Sequence, residues 1–325
     1  MLDLFGRGGV IRTRGIQLPK LALYQAELRP DGHGFYLQTA PARNPVGLTA
    51  GGGPALPARM QLPLVFLDGP WKLAMGLNAL DPADWLWRDE HFGAETAERQ
   101  RLLAERPAEV LAQLPQAAAA VTELIVMVRD HFGLPQAPGA LADLAGLAQE
   151  DFCVLQKRDD GQYALTAAIL CFPAHWRVAE KIGRPLREIH APVPGFGDRL
   201  AGPVDRFFAN LTFARPVWRA NWSVVESPEL FHPQPRVPLQ GLTAENAGEQ
   251  LWLRVERQTL RRLPESGAVV FTIRTLVRPL VEIAADPAVA RAMAARLREL
   301  EPGMAGYKGL PGFEEPLLAW LEARA

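Results

Sequence analysis

The chain has 325 residues, of which 48% are hydrophobic, and a formal charge of −1. That length and apolar content suffice for one large core or two smaller ones without covalent staples, while the near-neutral charge argues against a nucleic-acid-binding surface, which needs Lys and Arg in clustered excess over acids. Two cysteines, Cys153 and Cys171, with no CxxC and no Cys/His pairing at zinc spacing, indicate neither a disulfide framework nor a structural zinc site.

From the N-terminus, Met1 to Lys20 lacks an apolar core of signal-peptide length, and no run of about 18 apolar residues follows, so a cytoplasmic protein that neither enters nor crosses a membrane is expected. Residues 1–60 are rich in Gly, Pro and Arg, carry no long apolar period, and read as an irregular leader. Residues 61–150 read as a helical extension: Val121, Leu124, Ile125 and Val128 repeat at the spacing of one helix face, and two or three helices are expected over 94–132. The pattern changes at Asp151, where Phe152 to Lys157 and Gln162 to Phe172 are apolar runs around the tight-turn triplet Asp159-Asp160-Gly161. Counting back from that turn sets Cys153 opposite a residue near Ala167 and not opposite Cys171, so the two thiols are not expected to pair.

After Pro173 the chain turns helical, with Leu200, Val204, Phe207, Phe208 and Leu211 forming a wide stripe. Strands return at Val217 to Val225, then at Leu251 to Leu263 and Ala268 to Val277, which flank the hairpin signal Pro264-Glu265-Ser266-Gly267. A further helix, opened by Asp286-Pro287 and closed by Pro302-Gly303, is expected outside the sheet within 283–325. Two strands, a helical crossover and three strands over 151–282 match the order of the PAS fold. The reading is therefore α+β: a PAS-like antiparallel five-stranded sheet with its crossover helices over a small-molecule pocket, an N-terminal helical region and C-terminal helices.

Six histidines are too dispersed for a helical metal pair. His190, in Ile189-His190-Ala191-Pro192-Val193-Pro194, stands where two prolines stop a helix and hold the following backbone extended. Beside apolar Ile189, Val193 and Phe196, such an imidazole is a candidate ligand of haem iron through a neutral ring nitrogen; the commoner role at such a position is a helix-terminal hydrogen bond. His175 is the rival ligand, and Cys171 the candidate thiolate, although no P450-type cysteine loop surrounds it. In Leu251 to Leu263, Arg254, Glu256 and Gln258 share one face while Arg257 and Arg261 share the other, and Arg274 lies on the partner strand. Arginine forks suit haem propionates, with Lys181 or Arg184 assisting, although a solvated sheet face laced with ion pairs has the same composition. In Trp218-Arg219-Ala220-Asn221-Trp222-Ser223 the indoles share a face that either belongs to the core or lines a planar ligand, and Asn221 offers a hydrogen bond from the other.

Several strings occur in order: Met75-Gly76-Leu77, Leu80-Asp81, Trp85-Leu86, Cys171-Phe172-Pro173 with Trp176, Glu180 through Leu186, Ile189 through Pro194, Trp218 through Trp222, Arg254 through Pro264, and Phe271 through Thr275. Over roughly residues 60–310 the chain resembles the alpha-subunit-like family of haem-dependent oxidative N-demethylases, haem-containing dimethylamine monooxygenases with a PAS-like haem domain. The resemblance implies haem b, dioxygen and a small secondary or tertiary amine as substrate, with formaldehyde as product. It also implies electrons from a separate flavin and iron-sulfur reductase acting in trans. On that reading His190 is the axial ligand, Lys181, Trp222, Arg254, Arg257, Arg261 and Arg274 are candidate haem contacts, and Asn221 and Glu256 face the substrate. Glu256 suits a secondary ammonium if it points into the pocket. Homo-oligomerisation is left open, and two alternatives stand beside the enzyme: a haem-based gas or redox sensor without turnover, and a haem-free binding protein.

Overall fold

The computed structural model describes residues 62–235, 239–308, 310 and 312–325, and the backbone of strands β1 (Tyr24–Glu27) and β2 (Tyr36–Thr39), which pair antiparallel. The leader expected over 1–60 thus contributes one short hairpin, and its remainder lies outside the described residues.

Strand-length apolar runs and turn chemistry build the main sheet. Strands β5 (Asp151–Lys157) and β6 (Tyr163–Ile169) pair across the turn that Asp159-Asp160-Gly161 signals, with Gly161 at φ +86°, where a side chain would be strained. Cys153 faces Ala168, Val154 faces Ala167, and both cysteines are free and buried. β7 (Val217–Val225), β8 (Trp252–Arg262) and β9 (Val269–Pro279) follow, the last two as a long hairpin whose Thr259 and Thr272 hydroxyls bond across the ladder at 2.6 Å. The sheet has seven strands where the sequence predicted five. β3 (Asn78–Ala79) pairs with β7 at one edge and β4 (Leu111–Gln113) with β6 at the other, giving the order β3-β7-β8-β9-β5-β6-β4. Strands of two and three residues are too short to show alternation, and β4 lies in a stretch whose apolar content reads as helix.

Twelve α-helices stand among the described residues. On one face of the sheet, α1 (Phe92–Glu105), α2 (Pro107–Val110), α3 (Ala118–His131) and α4 (Leu144–Leu147) form the N-terminal cover, where Leu102, Leu124 and Leu144 bury Phe152, Val154 and Val270. The crossover supplies α5 (Val178–Lys181), α6 (Leu186–Ile189) and α7 (Ala201–Asn210), whose Val178, Leu186, Phe207 and Phe208 pack on Cys153, Leu155, Leu165, Leu260 and Ile273. Those partners belong to the alternate set of strand positions, so the crossover covers the opposite face. The helices α8 (Ala247–Gln250), α9 (Leu280–Ile283), α10 (Pro287–Arg298), α11 (Pro302–Tyr307) and α12 (Glu314–Glu322) enclose Trp222, Val224, Leu253 and Val255, completing the first face. Each large apolar side chain removed from water in these clusters contributes about 1.5–3 kcal/mol.

Asp286 caps α10 by accepting from the Ala288 amide at 2.8 Å, as its Asp-Pro signal indicates. Pro302 opens α11 at its first turn, and α10 already ends at Arg298. The proline expected to close a helix instead begins one, because its missing N–H is no loss there. No helix among the described residues is long and apolar enough to cross a membrane.

Candidate functional site

His190 is the residue at which α6 stops. Its backbone amide and its Nδ1 both reach the Leu186 carbonyl, at 3.0 and 2.9 Å. A ring nitrogen bonded to a carbonyl carries the proton, so Nε2 keeps its lone pair and points the opposite way. Phe196 stacks on the imidazole with centroids 4.8 Å apart and planes 14° from parallel. Gly195 precedes it at φ +73°, where a Cβ would press on Leu73 and Arg199, so glycine lets the chain deliver Phe196 to the ring. Burial pushes the His190 pKa below the ordinary imidazole range and the cations of Lys181 and Arg219 push the same way, against the partial support of the Leu186 carbonyl. The ring is therefore neutral near pH 7.

Those cations come from two elements. Lys181 ends α5 with its Nζ 3.8 Å from the Trp176 ring centroid; burial lowers its pKa, opposed by Cys153, Glu180 and Glu256. Arg219 comes from β7, where Arg219, Asn221 and Ser223 stand opposite Gln258, Glu256 and Arg254 of β8, so all six share one face. The Arg219 Nε is buried with no hydrogen-bond partner among the described residues. Burial lowers its pKa, opposed by Glu256 and Tyr307. Glu256 is thus the carboxylate that acts on both Lys181 and Arg219, and it also accepts from Arg254 Nε at 3.3 Å and Gln258 Nε2 at 3.1 Å. Asn221 Oδ1 lies 3.5 Å from Lys308 Nζ, which donates to the Trp222 carbonyl at 2.6 Å.

The structure thus brings together His190, Lys181, Glu256 and Asn221 of the residues singled out in the sequence, and adds Arg219. The signal for Arg219 was its place on the Asn221 face of β7. A half-buried cation whose Nε–H is buried and unbonded, beside a neutral imidazole, can receive an anionic group at the site.

Other nominated residues lie elsewhere. Trp222 is buried on the opposite face, edge-on to Phe66 at 5.2 Å. Arg257 donates to the carbonyls of Trp85 (3.2 Å) and Asp84 (2.6 Å) and lies over Trp87, and burial pushes its pKa down to about 10. Arg274 pairs with Asp89 (2.7 Å) and Glu95 (2.8 Å), and Arg261 lies over Trp85 and Phe213. These three arginines face the N-terminal cover because β8 and β9 alternate, and the structure does not bring them to His190. A concavity lined by His131, Phe213 and Arg261 is likewise away from the site. Arg254 is on the His190 side of the sheet but donates to the carbonyls of Phe172 (2.6 Å) and Leu230 (3.3 Å). Cys171 is pushed up to about 12 by burial, with Asp151 and Glu98 adding to the shift against Arg99, so it stays a thiol and packs as a small apolar group. His175 stands with Glu226 and His232, apart from His190.

Among known protein families, residues 76–137 and 133–318 match the model described as haem-dependent oxidative N-demethylase, alpha subunit-like. The matched range contains every residue gathered around His190.

Proposed function

The chain belongs to the haem-dependent oxidative N-demethylase alpha-subunit-like family, and from that membership we propose that it is the haem-binding oxygenase subunit of an oxidative N-demethylase acting on a small secondary or tertiary amine. The observation that carries the reading is the His190 tautomer: a neutral ring whose Nδ1 is committed to the Leu186 carbonyl and whose Nε2 is left as a donor to iron.

The residues around it fit haem. Arg219 and Lys181 supply two cations, one for each propionate, and Glu256 is the carboxylate that acts on both. The unbonded Arg219 Nε is a donor that a propionate would satisfy. In this reading Lys181 keeps its role as a haem contact, and the propionate role of Arg257, Arg261 and Arg274 passes to Arg219. The order β7-β8-β9-β5-β6 within the sheet, with the crossover on one face, supports a PAS-like haem pocket. Bound haem iron would supply the dioxygen chemistry that hydroxylates an N-methyl carbon, after which the hydroxymethyl amine releases formaldehyde.

The protein's own groups do the rest. His190 would hold the cofactor. Glu256 sits on the sheet face with Asn221 beside it, where a carboxylate can hold the substrate's ammonium once propionates draw the cations away. The name alpha subunit implies other subunits, and we assign electron delivery to a partner carrying flavin and an iron-sulfur centre, since two buried cysteines cannot hold a cluster here.

Purified protein should show a Soret band that is lost or shifted in His190→Ala and kept in His175→Ala; unchanged ligation in His190→Ala would sink the assignment. Arg219→Gln should weaken haem retention by about tenfold, the loss of one charge-assisted bond. With an electron donor, formaldehyde should appear in proportion to amine oxidised, and haem-loaded protein inert toward a panel of methylamines would leave binding without turnover.

A further inference from the structure

The rival histidine of the sequence stands in a second constellation. His175, Glu226 and His232 each offer a ligand atom, and all three atoms lie within 4.8 Å of one another. None of them belongs to the His190 site.

Several features build this cluster. The segments 173–175 and 230–234 are zipped together: the His175 amide donates to the His232 carbonyl at 2.7 Å, and the His232 amide donates to the Pro173 carbonyl at 3.2 Å. Arg254 clamps the same two segments through the Phe172 and Leu230 carbonyls. Glu226 directly follows the end of β7, and its Oε1 lies 3.4 Å from His232 Nε2. His175 has φ +59°, the only positive φ outside glycine among the described residues, and such strain persists only where surrounding bonds impose it. Its Nδ1 lies 2.7 Å from the Gln234 carbonyl, which places the proton there and leaves Nε2 as the ligating nitrogen. The two imidazoles meet edge to face, 4.7 Å between centroids.

Two imidazoles and one carboxylate, all half-buried, make a donor set for a borderline divalent cation. Calcium and magnesium take oxygen ligands almost exclusively, six or more for calcium, whereas two His and one Glu is the three-ligand set of zinc sites that keep an open fourth position. Ligand atoms in a tetrahedral zinc site stand about 3.3 Å apart, so small side-chain rotations close this cluster around an ion. We propose that His175, Glu226 and His232 bind one zinc ion, with Arg254 as the positioning residue that holds both histidine-bearing segments together.

The experiment uses the tag-free full chain, haem-loaded if it carries haem, stripped with a chelator and titrated with cobalt(II) as a spectroscopic stand-in for zinc. One equivalent should bind with the intense visible bands of a four-coordinate site, and zinc should displace it. His232→Ala and the near-isosteric Glu226→Gln should each weaken binding by at least about tenfold, the scale seen even for residues behind the ligands. His190→Ala should leave it unchanged. Circular dichroism separates loss of a ligand from loss of fold, and Glu226→Gln decides where an alanine variant fails to fold. Absence of saturable cobalt or zinc binding in the unmodified chain, retention of full affinity in Glu226→Gln, or loss of binding in folded His190→Ala would each overturn the proposal. The Soret band does not enter these outcomes.

Discussion

At the scale of the residue, His190 makes pH a probe of the site. The unfolded chain takes a proton on this ring as pH falls through about 6.5, while burial keeps the folded ring neutral to a lower pH. Between those two values the unfolded state binds more protons, so acidification costs stability there, and the loss is complete once pH is below both. His131 is shifted downward as well, again chiefly by burial, and adds its own loss. Comparing His190→Gln with the unmodified haem-free chain isolates the His190 share: the variant should lose less stability between about pH 7 and pH 5, and parallel stability curves in urea would contradict the burial of a neutral ring. The cysteines are the complementary case. Burial pushes Cys153 and Cys171 up to about 12 each, so neither should react with a thiol reagent until the protein unfolds.

At the scale of the element, the junction of α1 with β5 and β6 rests on one buried ion pair. Arg99 Nη1 and Asp151 Oδ1 are 2.5 Å apart, both side chains fully buried, and Asp151 also accepts from the Cys171 and Phe172 amides at 2.7 and 2.9 Å. Arg99→Ala leaves that carboxylate without its counter-charge and should cost about 3–5 kcal/mol in a urea titration; a loss under about 1 kcal/mol, the scale of exposed pairs, would show that water reaches the pair.

Much of the element pattern was legible. The β5-β6 and β8-β9 hairpins were readable because strand-length runs flank strong turn signals, and alternation in β8 separated Arg254, Glu256 and Gln258 from Arg257 and Arg261. Which face meets the crossover was not readable, because it depends on the N-terminal helices covering the other side, a long-range choice that period two leaves undecided. For the same reason Trp222, Arg257, Arg261 and Arg274 were nominated beside His190, and Arg219 was passed over. The His175, Glu226 and His232 cluster was invisible too, since three loop residues far apart in sequence share no periodicity.

At the scale of the molecule, a single sheet carries the crossover pocket on one face and two helical covers on the other, so most of the N-terminal and C-terminal regions support the site through the strands, while Tyr307 and Lys308 at the end of α11 act on Arg219 and Asn221 directly. Gly248 tests this arrangement from its far end. It lies in α8 directly under the Trp320 indole of α12, and a Cβ there would overlap the ring. Trp320 is almost fully buried against the cluster that includes Leu253 and Val255 of β8, the neighbours on either side of Arg254 and adjacent to Glu256. Gly248→Ala must therefore displace α12 or strain it, at a cost of about 1–3 kcal/mol by overpacking. If the sheet transmits that loss, loss of circular dichroism and loss of the haem band in urea should move together to lower denaturant as one transition. If the haem band instead keeps its original midpoint while the helices melt early, the C-terminal cover unfolds on its own and the sheet does not join the two faces into one cooperative unit.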